Sequence, residues 1–523
     1  MIVQKEVQVL TQKKVHFNSF FDFGRNAYST LEIELETSFQ ENIEILVGEV
    51  AENGRIKHPT NYCTYIQNIL QTSIGHQVIK FKIPEYIPAY ACNPFMRCPE
   101  GPDGEIAPFR YVEVNRHYGD VTVRRTAWYP DWDDDAADFT CSDPDLKQVW
   151  DFCKYSIKAE SVFDKYVDGE RERMPYEGDA VINQLGHFCN DAHFQIAKNT
   201  IDHFFAMGEF TWPTEWRLLT PRLVRDYYFY SGDAESVKRW IPLLEEKLLL
   251  EYRNSDGLLD QSVYRKRYTA NELRDIVDHP VEEQDHYEMG NVNFVPNSYL
   301  YDALKAMFDI TGDNKYLEIA SEFKASVRKH LMHNGLFVDS IGSTHTAQHT
   351  AMFALLYGFC DSQEEIDRHR AIVLSKDMAC SVYGAQFLLE ACFAGNMSDH
   401  GIKLMTSKGQ RSWFNMINSG ATTAMESWGD EFKDNQDWTH AWGAAPANIV
   451  TRCLCGIRPL AAGFKRFAVD PRPGSLSSFY VRQPTIHGAI ELDWQPDCVT
   501  LTVPENTEAV YQDRILPPGK HTL

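Results

Sequence analysis

Two segments of this 523-residue chain carry groups that could act on a glycosidic bond. The first, Asp168-Gly-Glu-Arg-Glu-Arg-Met-Pro-Tyr-Glu-Gly-Asp179, packs five carboxylates and two arginines into twelve residues. Gly169, Pro175 and Gly178 break it into a loop between apolar stretches. If such a loop is buried, its arginines must satisfy its acids, and one carboxyl can stay protonated while its neighbours ionise. The second, Gly420-Ala-Thr-Thr-Ala-Met-Glu-Ser-Trp-Gly429, sets Glu426 among apolar and small residues. On its own this segment reads equally well as the start of a short helix with Thr422 or Thr423 as its cap. Together the segments offer the pair of carboxyls that hydrolysis of a sugar linkage requires, one on each side of the ring.

Other groups could line such a site. Trp212 and Trp216 flank Glu215 at a proline-broken helix entrance, and Trp428, Trp438 and His440 follow the second segment. Asp278-His279-Pro280 lies in a long loop, about residues 254–294, and loops of that length are commonly functional. Each tryptophan could equally pack in the core. His345 and His349, four apart on a helix, lack a third ligand nearby, so no metal is expected. No phosphate loop, dinucleotide fingerprint, nucleophile elbow or zinc-protease motif occurs.

These segments need elements to hold them. Residues 1–132 show short period-2 runs such as Leu31–Leu35, Ile43–Val47, Val78–Ile83 and Tyr111–Val114, and they predict a β-sandwich. The acidic run from Trp132 to Asp138 reads as a solvated linker. Over residues 133–458 the period becomes helical, with about twelve amphipathic stretches: near 144–160, 180–206, 219–231, 235–252, 295–311, 315–332, 346–359, 364–375, 381–394, 397–406, 410–417 and 441–455. Phe229-Tyr-Ser-Gly-Asp, Phe308-Asp-Ile-Thr-Gly-Asp and Phe393-Ala-Gly-Asn each end one helix at a glycine and cap the next with Asp or Asn. Repeated helical hairpins predict an all-α toroid, with an open stack of helix pairs as the alternative. Residues 459–523 return to three or four strands, too few to bury much alone, so they should pack on a neighbour.

Composition narrows the functions. Against 51 Lys+Arg stand 74 Asp+Glu, a net charge of −23, which disfavours nucleic acid as a partner. No apolar run is long enough to span a membrane. The N-terminus lacks a signal-peptide pattern, which places the protein in the cytoplasm unless a signal has been trimmed, in which case it is periplasmic or secreted. The 12 cysteines are scattered; Cys453 and Cys455, or Cys92 and Cys98, form no zinc pattern and read as free thiols. Oligomeric state is not encoded in any pattern here.

At the two acidic segments the chain resembles the bacterial α-L-rhamnosidases of glycoside hydrolase family 78. The family loop has the form Asp-Cys-Pro-x-Arg-Glu-(Lys/Arg)-x-Gly-Trp-x-Gly-Asp-Ala. Arg171-Glu172-Arg173 and Gly178-Asp179-Ala180 match it, Tyr176 takes the place of its Trp, and Asp168 aligns with its leading Asp after a one-residue deletion. Gly420–Trp428 is similar to Gly-Ala-Thr-Thr-x-Trp-Glu-Arg-Trp, with Met425 and Ser427 departing from it. Asp278-His279-Pro280 resembles the family's Asp-Trp-Pro. Gly456-Ile-Arg-Pro, Pro471-Arg-Pro and Val503-Pro-Glu-Asn-Thr extend the likeness over about residues 140–523. The resemblance implies a central (α/α)6 barrel between the N-terminal β-sandwich and a small C-terminal β domain. It implies inverting hydrolysis of terminal α-L-rhamnosides, with Glu172 as general acid and Glu426 as general base about 6.5–9.5 Å apart. Asp168 and Asp179 would bind sugar hydroxyls or support the charge of the oxocarbenium-like transition state, and Arg171 and Arg173 could orient these acids. The resemblance also implies that no cofactor is needed. A six-hairpin hydrolase or lyase of another sugar such as a uronide, or a non-catalytic carbohydrate-binding relative, would keep the same fold.

Overall fold

The computed structural model describes residues 2–58, 61–87, 95–207, 212–264 and 273–523. Cys92 and part of the long loop (265–272) lie outside them. No helix among the described residues is long and apolar enough to cross a membrane. The described cysteines are free thiols.

In the N-terminal region, alternation turns Leu31, Ile33 and Leu35 into the core, where all three are buried. They belong to strand Asn18–Thr37, whose register shifts between Asp22 and Ala27. One half of this strand pairs with Thr11–Val15 and Ala107–Asn115. The far half pairs with Val121–Pro130 and Gly75–Lys80. The layers of the expected sandwich are therefore parts of one eight-stranded sheet, and residues of both halves share one core.

The helices form a double ring. Helices Glu177–Asn190, Thr214–Ser231, Phe294–Thr311, Gln348–Leu356, Val382–Ala394 and Pro446–Ile449 touch in that order, and the last returns to the first. Every residue of Glu177–Asn190 is buried, as an inner wall requires. Helices Pro144–Glu160, Gln195–Met207, Ala234–Lys247, Lys315–Leu331, Gln363–Leu374 and Ser398–Met405 supply the outer ring. Because each outer helix carries the chain back, the inner helices run in the same direction and begin at one end of the toroid.

The capping repeat holds at two of its three positions. Gly232 and Gly312 adopt left-handed conformations, and Asp233 accepts from the Ser236 amide. At the third, Gly395 stays at negative φ and Asn396 takes the left-handed place. The stretch expected at 180–206 is two helices, because Asp191 is extended and its carboxylate accepts from the amides of Asp133 and His193.

The C-terminal part holds more strands than expected. Residues 457–522 contribute eight, in a four-stranded and a five-stranded sheet. The fifth strand of the latter is Asp138–Cys141, which pairs with Phe479–Gln483. The acidic run is thus no free linker: Lys158 holds Asp134, and Asp138 already opens a strand. Phe479, Val481 and Leu492 share a core with the helices, which is how this small unit buries its apolar face.

Candidate active site

The loops that lead into the inner helices carry the predicted residues. Asp179 lies in the first turn of Glu177–Asn190, where exposed amides and the helix dipole favour an acid. The loop before it is pinned across the toroid. The Asp437 carboxylate accepts from the Arg171 amide at 2.8 Å. Gly169 has φ 105°, and a Cβ there would lie 2.3 Å from the Thr439 carbonyl oxygen, so only glycine permits the approach. The segment around Glu426 runs beside residues 437–440: the Glu426 amide donates to the Asp437 carbonyl and the His440 amide to that of Ala424.

One guanidinium joins the two glutamates. Arg171 reaches Glu172 Oε1 at 2.7 Å through Nη1 and Glu426 Oε1 at 2.6 Å through Nη2. Lys433 makes a second ion pair with Glu426 Oε1. Tyr176 donates its hydroxyl to Glu172 Oε2 at 2.8 Å. His440 lies between Asp179 at 2.9 Å and Asp437 at 3.2 Å, with its ring against Trp442. Asp168 accepts from the Met174 amide. Within this cluster, Glu426 Oε2 and Asp179 Oδ2 are buried without a hydrogen-bond partner.

Burial and charge sort these acids. Burial pushes the Glu426 carboxyl up, but His440, Arg171 and Lys433 outweigh it and hold it at about 2. Burial raises Asp168 well above the carboxylate range, and the neighbouring Glu172 charge adds to this. Asp179 is raised by burial against the pull of His440. His440 itself is lifted well above its ordinary value, since Asp437 and Asp179 overcome the burial penalty.

Several predicted residues serve differently. Arg173 turns away from the acids. It pairs with Glu170 and Glu105, stacks over Tyr86 at 4.0 Å and ties the loop to the N-terminal sheet. Trp428 is fully buried against Trp413 and donates to the Cys380 carbonyl, so it is core. Trp438 donates to Asp430 and is buried as well. Asp278 is consumed by Ser381, His349 and the His279 amide. It anchors the cap of helix Val382–Ala394 and leaves His279 facing Lys433 and Glu426, with burial and Lys433 holding that imidazole low. Trp216 packs on Gly178 and Tyr176, and its indole N–H is unpartnered. Trp212 is half-buried under the Arg274 guanidinium at 4.1 Å. His345 bonds Asp339 while His349 bonds Asp278, so the two do not converge on a metal.

Sequence reasoning missed four participants. Asp437 lay inside the polar run 430–437, and Lys433 beside it. Glu160, at the end of the first helix, accepts from the Ala441 amide. Glu49 of the N-terminal sheet accepts from Thr439 and Asn26, and burial raises it to about 8. Asn26 also donates from its backbone amide to Thr422, and its side chain donates to Thr439, so the sheet buttresses both site segments. Glu426, Asp437 and His440 offer three ligand atoms within 4.8 Å of one another. Glu426 Oε1 holds two cations and both His440 nitrogens hold aspartates, which makes the cluster an ion-pair network as it stands.

A closed ring of six helical hairpins, with a buried pair of glutamates where the inner helices begin, defines a six-hairpin glycosidase fold. Residues 134–454 match the family described as the bacterial alpha-L-rhamnosidase 6 hairpin glycosidase domain, and residues 456–513 match the bacterial alpha-L-rhamnosidase C-terminal domain. The chain belongs to this bacterial α-L-rhamnosidase family. It is 33% identical over 120 residues to an alpha-L-rhamnosidase of Formosa agariphila, a match covering 20% of this chain and 13% of that protein. The solved alpha-L-rhamnosidase of Dictyoglumus thermophilum superposes with a TM-score of 0.77 at 17% identity, over 97% of this chain and 58% of the other. That of Streptomyces avermitilis, complexed with L-rhamnose, gives 0.74 at 14% identity, over 97% and 50%. The chain thus spans well under two thirds of these relatives' length.

Proposed function

We propose that this protein hydrolyses terminal α-L-rhamnosyl linkages with inversion, Glu172 acting as general acid and Glu426 as general base. The observation that carries this reading is the single Arg171 guanidinium bridging two buried glutamates brought together from loops 255 residues apart. Family membership and the named activity of the relatives support it. Glu426, held ionised by Arg171, Lys433 and His440, is suited to take a proton from water. That water attacks the anomeric carbon as the bond to the leaving oxygen breaks, and Glu172, acting from its protonated form, supplies that oxygen's proton and is left as the carboxylate that Arg171 and Tyr176 hold. Inversion follows because attack and departure occur on opposite faces. The unpartnered Glu426 Oε2 and Asp179 Oδ2 are acceptors that a water and a sugar hydroxyl would satisfy. Asp168, whose carboxyl burial and the neighbouring Glu172 raise well above the usual carboxylate range, is placed to bind a sugar hydroxyl. His279, Trp216 and Trp212 form the wall of the sugar pocket. In this reading residues 1–132, 133–458 and 459–523 are three domains, the strand Asp138–Cys141 crossing from the second to the third.

The test is turnover of 4-nitrophenyl α-L-rhamnoside, with the first product's anomer read by NMR. The wild-type chain should release β-L-rhamnose first, and Glu172→Gln and Glu426→Gln should each abolish hydrolysis. Full activity in either variant, or an α first product, would overturn the assignment.

A further inference from the structure

A second cavity, of about 400 Å³, opens between the N-terminal sheet and helix Pro144–Glu160, and none of the residues placed at the glutamate pair lines it. Its walls are aromatic: Phe23, Tyr129, Trp132 and Tyr155. Its charge is unbalanced. The two acids that line it are already neutralised, Asp134 by Lys158 at 2.6 Å and Asp151 by Lys147. Lys5, Arg25, Arg125 and Lys154 face the same space, and none has a carboxylate partner among the described residues. Among the described residues Lys154 donates to the carbonyls of Asp134 and Ala137 and lies over the Trp150 ring, with Asp134, Asp138 and Asp151 near it but none in contact. Arg25 lies over the Tyr155 ring at 4.6 Å.

Arg125 is the sharpest of the four. It is fully buried, with its guanidinium over Phe23, and it donates through Nη1 to the carbonyls of Arg25 and Phe109. Its Nε–H has no acceptor, and neither has the Trp132 indole N–H beside the same cavity. The carboxylate that acts on Arg125, Asp22, is already bonded to Arg110, and a buried cation with no counter-charge in contact is disfavoured unless an anion completes it. In a chain of net charge −23 this is a local excess of positive charge, and every unsatisfied buried atom that faces it is a donor.

We propose that this cavity is a binding site for an anionic sugar unit, a uronate, whose carboxylate lies between Arg25 and Lys154 above Arg125 and whose ring packs on the aromatic walls. The volume falls in the range of small-ligand pockets, and aromatic faces with charge-assisted donors are the groups that hold an acidic saccharide. The site is separate from the glutamate pair and would let the protein grip an acidic portion of a glycan while cleaving elsewhere.

Calorimetric titration of the full chain with glucuronate, glucose and inorganic sulfate tests this without recourse to hydrolysis. Glucuronate should bind, about tenfold or more tighter than either glucose or sulfate, and its affinity should fall as salt rises. Arg25→Gln and Lys154→Gln, two side chains that reach solvent, should each weaken glucuronate about fivefold to tenfold. Both should leave the melting temperature and the cleavage of a neutral aryl rhamnoside unchanged. Absence of glucuronate binding, equal binding of glucose or sulfate, or glucuronate affinity untouched by both variants would each overturn the proposal.

Discussion

Two buried glutamates in the toroid share an electrostatic setting and differ in completeness. Glu426, on the loop after residue 420, and Glu390, in the second half of helix Val382–Ala394, are each held at about 2 against burial, Glu426 by His440 first and then Arg171 and Lys433, Glu390 by Arg222 and Arg452. At Glu390 both oxygens are taken: Arg222 donates to each, and Arg452 and Gln386 add to Oε1. At Glu426 both cations crowd onto Oε1, and Oε2 has no partner. A saturated buried carboxylate is a strut. One with an open oxygen is ready for something that is not yet there. The depressed titration alone does not separate the two; the count of unsatisfied lone pairs does.

Substitution should separate them. Glu426→Gln should lower kcat for an aryl rhamnoside by about 10²- to 10⁴-fold, with little loss of stability, since Arg171 keeps Glu172 and Lys433 can turn to water. Glu390→Gln should do the reverse: about 3–5 kcal/mol lost in denaturant unfolding, because Arg222 and Arg452 are left buried, with kcat retained at a permissive temperature. Equal stability losses in the two variants would erase the distinction.

The cations provide a finer cut. Without Lys433 the ionised form of Glu426 loses support, so Lys433→Met should move the acidic limb of kcat/KM upward by about 1–3 pH units. Arg452→Met should act on stability instead. The lowered Glu390 contributes stability that is present above its unfolded value near 4.5 and lost as pH falls towards 2. Weakening that shift should raise the pH of acid unfolding and leave the activity profile in place. The smallest effect belongs to Tyr176→Phe, which removes one donor to Glu172 and should lower kcat/KM by about 3- to 10-fold.

Much of this site was legible before any coordinates, and the reasons are specific. Arg171, Glu172, Asp179 and Glu426 stand out because charge interleaved with glycine, proline and apolar residues does not suit a solvated surface. Asp437 was hidden because Asp434, three residues earlier, is exposed while Asp437 is buried, and no local pattern distinguishes them. The adjacent Trp438 and the His440 three residues on were the available signal. Glu49 and Asn26 act across the boundary between the sheet and the toroid, with contacts about 400 residues apart in sequence that no local window contains. Trp428 misled because an indole two residues from Glu426 reads alike whether it faces a sugar or the core. Arg171 and Arg173 likewise read as a pair, but Arg173 takes a left-handed conformation and is buried against Glu105 and Tyr86 of the N-terminal region. The toroid was legible as hairpins. The strand Asp138–Cys141 was not, since four residues carry too little periodicity.

That strand has a consequence for synthesis. It leaves the ribosome ahead of the entire toroid, yet its partner strand, which begins at Phe479, follows about 340 residues later. At about 5–20 residues per second, its hydrogen-bonding edge waits on the order of tens of seconds for its mate. The ring of helices can therefore be assembled before Phe479–Gln483 emerges to pair with this strand. A nascent chain stalled before Phe479 would present an unpaired edge strand beside an otherwise formed helical body, a natural mark by which an unfinished molecule differs from a finished one.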